Sequence, residues 1–168
     1  QAAPLAGTEG AESPFFSPDG EWIGFFASGK LKKVSVTGGA PVTLADAPQG
    51  RGAAWTEEDS IVFMPDSTPG LTFMRVSAAG GTPSAFGEMG TGAVLQRWPQ
   101  ALPGGQALLY TEHMSAVAAT GSGDNIIVSS IKGGAPRIVV RGGYFGRYVS
   151  SGHLIYLREG TIFAVRFD

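Results

Sequence analysis

A four-residue turn signal returns four times along this chain, each time ahead of an apolar run, and no other feature limits the possible folds as much. The clearest copy is Ser17-Pro18-Asp19-Gly20, set between Phe15-Phe16 and Trp22-Ile23-Gly24-Phe25-Phe26. Proline pre-sets the first turn position, Asp hydrogen-bonds its own backbone, and Gly accepts a left-handed conformation without a Cβ clash. The frame recurs as Thr56-Glu57-Glu58-Asp59 before Ile61-Val62-Phe63 and as Leu102-Pro103-Gly104-Gly105 before Leu108-Leu109-Tyr110. A fourth copy is Ser150-Ser151-Gly152 before Leu154-Ile155-Tyr156. Asp59 replaces the usual Gly, and the fourth copy lacks the Pro-Asp pair, so these two hairpins are expected to be less tightly specified. The last turn positions, 20, 59, 105 and 152, lie 39, 46 and 47 residues apart.

A second signal interleaves with the first. Gly-Gly, a small residue and Pro occur as Gly38-Gly39-Ala40-Pro41, Gly80-Gly81-Thr82-Pro83 and Gly133-Gly134-Ala135-Pro136, each after a strand-like stretch. Gly-Gly supplies the positive φ of a tight hairpin, and the following Pro belongs on an edge strand. Two hairpin turns in each interval of about 40–50 residues fit the four-stranded blade of a β-propeller. The expected fold is therefore all-β, a β-propeller with about four blades of four antiparallel strands, over residues 14–46, 52–87, 97–141 and 145–168. The fourth stops short of an outer strand, while Ala3-Pro4-Leu5 resembles Ala40-Pro41-Val42. Residues 3–8 are thus expected to complete a blade.

Composition agrees. Of 168 residues 26 are Gly and 11 are Pro, without the third-position period of collagen, and 43% are apolar, enough for a core. Helical periodicity is nearly absent; the small-residue run from Ser115 to Gly123 reads as a loop. Charged residues are only 15% with a net charge of −2, which gives no basic field for nucleic acid. The absence of Cys excludes disulfides and thiolate chemistry. No apolar run approaches the ~18–20 residues of a membrane-spanning helix, so no membrane insertion is expected. Gln1-Ala2-Ala3-Pro4 has neither initiator Met nor a signal-peptide pattern, so the chain is expected to begin within a longer reading frame or at a processing point.

A catalytic constellation does not assemble. His113 and His153 fall in different repeats and each reads as a partly exposed strand or turn residue; no G-x-S-x-G elbow exists. Asp124-Asn125 and Glu57-Glu58-Asp59 lack calcium-loop spacing. Gly87-Glu88-Met89-Gly90-Thr91-Gly92 opens no helix that would hold a phosphate. Lys30 and Lys32 share a strand face that Lys33 opposes, which reads as a solvated surface. The expectation is no catalytic residue, no metal, no cofactor and no enzymatic activity. Recognition residues are sought instead where each blade begins. Eight positions before each last turn residue stand Glu12, Arg51, Arg97 and Tyr144. On the loops leading into the innermost strands, these would gather at one mouth of a propeller channel. Two arginines there could grip a carboxylate or phosphate bidentately, or simply brace neighbouring blades.

With these turns, the sequence resembles the WD-repeat-like, TolB-like propeller repeats of bacteria. The likeness is closest to the C-terminal region that follows the kinase domain in some bacterial eukaryotic-type serine/threonine kinases. Ser17-Pro18-Asp19-Gly20 with Trp22 to Phe26, Arg97-Trp98-Pro99-Gln100, and Gly152-His153-Leu154-Ile155-Tyr156 with Gly160 to Val165 carry it. The resemblance implies a ring of six or more blades, an extracytoplasmic location and a non-catalytic scaffold or sensor for a protein, peptide or small ligand. The alternatives are an accessory propeller of a peptidase or hydrolase and an autonomous lyase or lactonase, for which the sequence offers few channel ligands. Four blades from a larger ring leave apolar faces open, so a homodimer made by strand exchange is expected.

Overall fold

In the computed structural model, which describes residues 2–87, 94–114, 123–132 and 135–167, every regular element among the described residues is a β-strand. The chain divides into two compact units, Gln1–Ser67 with Phe73–Phe86, and Thr68–Thr72 with Gly87–Asp168. Unit 1 holds two sheets: β1 (Glu12–Phe16), β2 (Trp22–Ala27), β3 (Lys30–Ser35) and β4 (Val42–Asp46), then β5 (Ala53–Trp55), β6 (Ser60–Phe63), β7 (Phe73–Ser77) and β8 (Ser84–Phe86). Unit 2 holds β9 (Val94–Ala101), β10 (Ala107–Met114), β11 (Asp124–Ser130) and β12 (Arg137–Arg141), then β13 (Tyr144–Val149), β14 (His153–Arg158) and β15 (Thr161–Arg166). Each strand pairs antiparallel with its neighbours in sequence, so every sheet is an up-and-down meander. These are the blades of a β-propeller, and the all-β fold expected from the repeat is the fold observed.

The turn signals act as their chemistry dictates. In all four copies the last turn residue donates its amide to the carbonyl three residues back: Gly20 to Ser17, Asp59 to Thr56, Gly105 to Leu102 and Gly152 to Val149, at 2.9–3.1 Å. All four adopt positive φ, Asp59 included at 52°. Asp59 holds that conformation while its carboxylate accepts the indole N–H of Trp55 at 2.9 Å. The Gly38-Gly39 and Gly80-Gly81 pairs also have positive φ. Gly133-Gly134, Glu88 to Gly92 of the glycine-rich stretch, and Ser115 to Ser122 lie outside the described residues.

Apolar alternation builds each core. In unit 1, Phe26, Leu31 and Leu44 of the first sheet cluster with Trp55, Ile61, Phe63 and Val76 of the second. Gly24 of β2 faces Phe15 of β1, whose ring occupies the space a Cβ would need. In unit 2, Leu109, Ile126, Leu154 and Tyr156 form the buried centre. Residues 3–8 form no strand; Leu5 packs instead on the buried cluster of Phe25, Ala27 and Val34. The last sheet has three strands, and β15 is exposed along its whole length, with Ile162 at 72%.

Candidate functional site

The four candidate residues occupy related but unequal places. Glu12 opens β1 and Tyr144 opens β13, while Arg51 stands two residues ahead of β5. Arg97 is the fourth residue of β9 and so sits within a strand rather than on the loop expected from the count. What unites them is the residue that follows. Ser13, Gly52, Trp98 and Phe145 all have positive φ, at 49°, 98°, 52° and 54°. Strand pairing slips at the same point between Glu12 and Phe15, between Tyr144 and Arg147, and in β9 opposite Leu109 and Thr111. A bulge of this kind bends its strand and re-aims the side chains beside it. Gly52 adopts the conformation freely, whereas Ser13, Trp98 and Phe145 each carry about 1–2 kcal/mol of left-handed strain.

In unit 1, Glu12 beside the β1 bulge and Arg51 beside Gly52 line one hollow of about 280 Å³, together with Ser28, Gly29, Gln49 and Gly50. The Arg51 amide donates to the Met64 carbonyl at 2.9 Å, and its Nε donates to Ser67 Oγ. Gly50 lets the backbone pass close over Phe26, since a Cβ there would come within 2.2 Å of the ring. At the other end of β1, a hollow of about 300 Å³ lies between the turns at Ser17 and Thr56. Lys33 reaches over Trp22 there, 4.3 Å from the ring centroid, which departs from the expected solvated lysine.

In unit 2, Arg97 faces Thr111 across β9 and β10, and Thr111 Oγ1 accepts the Phe145 amide at 3.0 Å. Arg97 and Tyr144 therefore belong to the same end of this unit. The Arg97 guanidinium lies 5.9 Å from the Trp98 centroid, and Trp98 meets Phe145 edge to face at 5.3 Å. Arg147 sits 4.5 Å over Phe145, with Nη1 donating to the carbonyls of Trp98 at 2.9 Å and Gly146 at 3.1 Å. Burial holds its pKa below the ordinary arginine value. Counting to the leading position alone misses Arg147, three residues further on from Tyr144.

His113 is a partly exposed strand residue of β10, as read from the sequence; it lies directly opposite Asp124 on β11, and the Asp124 carboxylate hydrogen-bonds its Nδ1. One strand position away, Glu112 has its carboxyl pushed up by burial, against the opposing effect of a hydrogen bond from Gln96. Among the described residues no three His, Asp or Glu side chains gather closely enough to hold a metal ion.

No family model matches the chain, and no curated protein matches it. Solved structures do. TolB from Acinetobacter baumannii aligns over 90% of this chain and 41% of its own, with 14% identity and a TM-score of 0.66. An oligogalacturonate lyase in complex with manganese aligns over 91% and 48%, with 11% identity and a TM-score of 0.62. A gluconolactonase from Xanthomonas campestris aligns over 98% and 60%, with 13% identity and a TM-score of 0.64. The chain thus spans about half the length of the structures it matches. A lyase and a lactonase among them overturn the expectation that this chain is not an enzyme. That expectation rested on the absence of local motifs, and propeller sites draw single residues from separate blades, where no local motif forms. The likeness at this identity is one of fold: these chains share a TolB-like β-propeller architecture.

Proposed function

We propose that this chain is a recognition module of a β-propeller, binding a protein, peptide or small ligand through Glu12 and Arg51 in unit 1 and, separately, through Arg97 and Tyr144 in unit 2. The observation behind this is the positive φ of the residue that follows each of the four, retained through Ser13, Trp98 and Phe145 despite its strain and accompanied by a strand bulge at those three. Backbone strain kept at equivalent points of a repeat supports a role in aiming side chains rather than in packing alone. Arg51 and Arg97 supply planar donors for carboxylates, and Glu12 beside Arg51 gives the unit 1 hollow a paired charge pattern suited to a peptide backbone or zwitterion.

The test is a fluorescence-polarisation screen of acidic and neutral peptides against the wild type and an Arg51→Ala, Arg97→Ala double variant. Acidic peptides should bind the wild type and lose at least tenfold in affinity on the variant. Equal binding by a variant with unchanged circular dichroism refutes the role. Self-association belongs to the same proposal: the open edge of β15 is a template for an added strand, and residues 3–8 of a second copy are the occupant proposed. Leu5 must then leave the Phe25 cluster. An extracytoplasmic sensor attached to a longer protein is the setting in which such a module would work.

A further inference from the structure

We propose that unit 2 carries a carboxylate-binding site centred on Arg147, with Arg97 as a second positive charge and Trp98 and Phe145 as its walls. This rests on reading the first-strand ends as recognition sites and names the ligand chemistry of one of them. Arg147 has five N–H donors. The two on Nη1 are directed to the Trp98 and Gly146 carbonyls. Nε–H and one N–H of Nη2 remain side by side, the parallel fork that matches the two oxygens of a carboxylate. Neither ion pair found among the described residues includes Arg147. Burying a cation without a counter-charge is unfavourable, and two carbonyls with one aromatic face offset only part of it.

A purely bracing role does not account for the charge. The same strands are already joined by a neutral clamp: Gln100 Nε2 donates to the Tyr148 carbonyl at 3.0 Å, and Gln100 Oε1 accepts the Tyr148 amide at 2.8 Å. Trp98 and Phe145 add an independent sign. Both are large side chains held at positive φ, their rings meet edge to face, and each ring lies beside one of the two guanidiniums. Ring walls beside a two-pronged donor select an acid with an apolar body over a small, strongly hydrated anion.

Benzoate, acetate and inorganic phosphate, titrated separately at constant ionic strength into ¹⁵N-labelled protein, test this. Benzoate should shift the Arg147 Nε–Hε and Trp98 indole resonances saturably, acetate more weakly, and phosphate more weakly still. Arg147→Lys keeps the charge but loses the fork and should weaken benzoate at least tenfold, while Lys30→Ala, which removes an exposed unit 1 cation, should stay within twofold. The site is refuted by no saturable shift in the wild type, by phosphate binding as tightly as benzoate, or by Arg147→Lys within twofold. The wild-type titration decides even where a variant fails to fold. Loss of acidic-peptide binding in Arg51→Ala with benzoate binding intact would separate the unit 1 hollow from this site; peptide binding kept while the benzoate response is absent would refute this site alone.

Discussion

Gly24→Ala should destabilise the protein through a single contact. A Cβ on Gly24 would lie 2.1, 2.4 and 2.7 Å from Cζ, Cε2 and Cε1 of Phe15, its direct cross-strand partner. The ring cannot swing aside freely, because it packs on the buried cluster of unit 1 and lies 6.3 Å from the Trp55 ring. Overpacking of this kind costs about 1–3 kcal/mol, and the loss of a strand glycine returns about 0.5–1 kcal/mol. Contacts this short, to three ring atoms at once, call for the upper part of the overpacking range, about 2–3 kcal/mol, so the net loss is about 1–2.5 kcal/mol. It corresponds to a Tm lower by roughly 2–10 °C if the whole chain melts together, and more if unit 1 melts alone. Differential scanning calorimetry measures this, and a Phe15→Ala background isolates it. There Gly24→Ala should become neutral or stabilising, since the atoms it strikes are gone. Equal destabilisation in both backgrounds would refute the account, as would an unchanged Tm in the wild-type background.

Asp59→Gly relieves left-handed strain of about 1 kcal/mol but strands the Trp55 indole N–H at about 1–3 kcal/mol. Urea denaturation should therefore show net destabilisation, with Asp59→Asn nearly neutral. The raised Glu112 pKa means that folding favours its protonated form, so its stabilising influence declines as pH rises through the ordinary value of 4.5 and beyond. Glu112→Gln should accordingly be more stable than the wild type at pH 7, with the advantage gone below pH 4 in parallel thermal melts; an advantage that persists there would contradict the burial argument. Light scattering should find dimers at micromolar concentration and monomers after deletion of residues 2–8; a monomeric wild type refutes the strand exchange.

The blades were legible because turn chemistry is local. Ser17-Pro18-Asp19-Gly20 announces its own hydrogen bond and φ, and even Asp59 could be placed by its frame. The bulges were not legible. Ser13, Trp98 and Phe145 are among the residues least expected at positive φ, and only the pairing of whole strands imposes it. Arg97 was consequently assigned to a loop although it lies inside β9. The pairing of His113 with Asp124 escaped for a related reason: the two residues flank a long connection and meet only once β10 and β11 are in register. Arg147 shows no motif at all, since its carbonyl partners belong to the backbone.

The strict meander order has a consequence for synthesis. Every strand finds its partners immediately before and after it in the chain, so closing a sheet never waits for a distant segment. Contacts of short sequence separation form quickly. The sheet from β1 to β4 is complete once residue 46 has left the ribosome, while elongation at ~5–20 residues per second is still delivering β5. Nascent chains should thus become protease-resistant in steps, one unit at a time, since the unit 1 core closes only when its two sheets pack together. β15, exposed along its whole length, presents among the described residues a strand edge that a chaperone or a second nascent chain can meet.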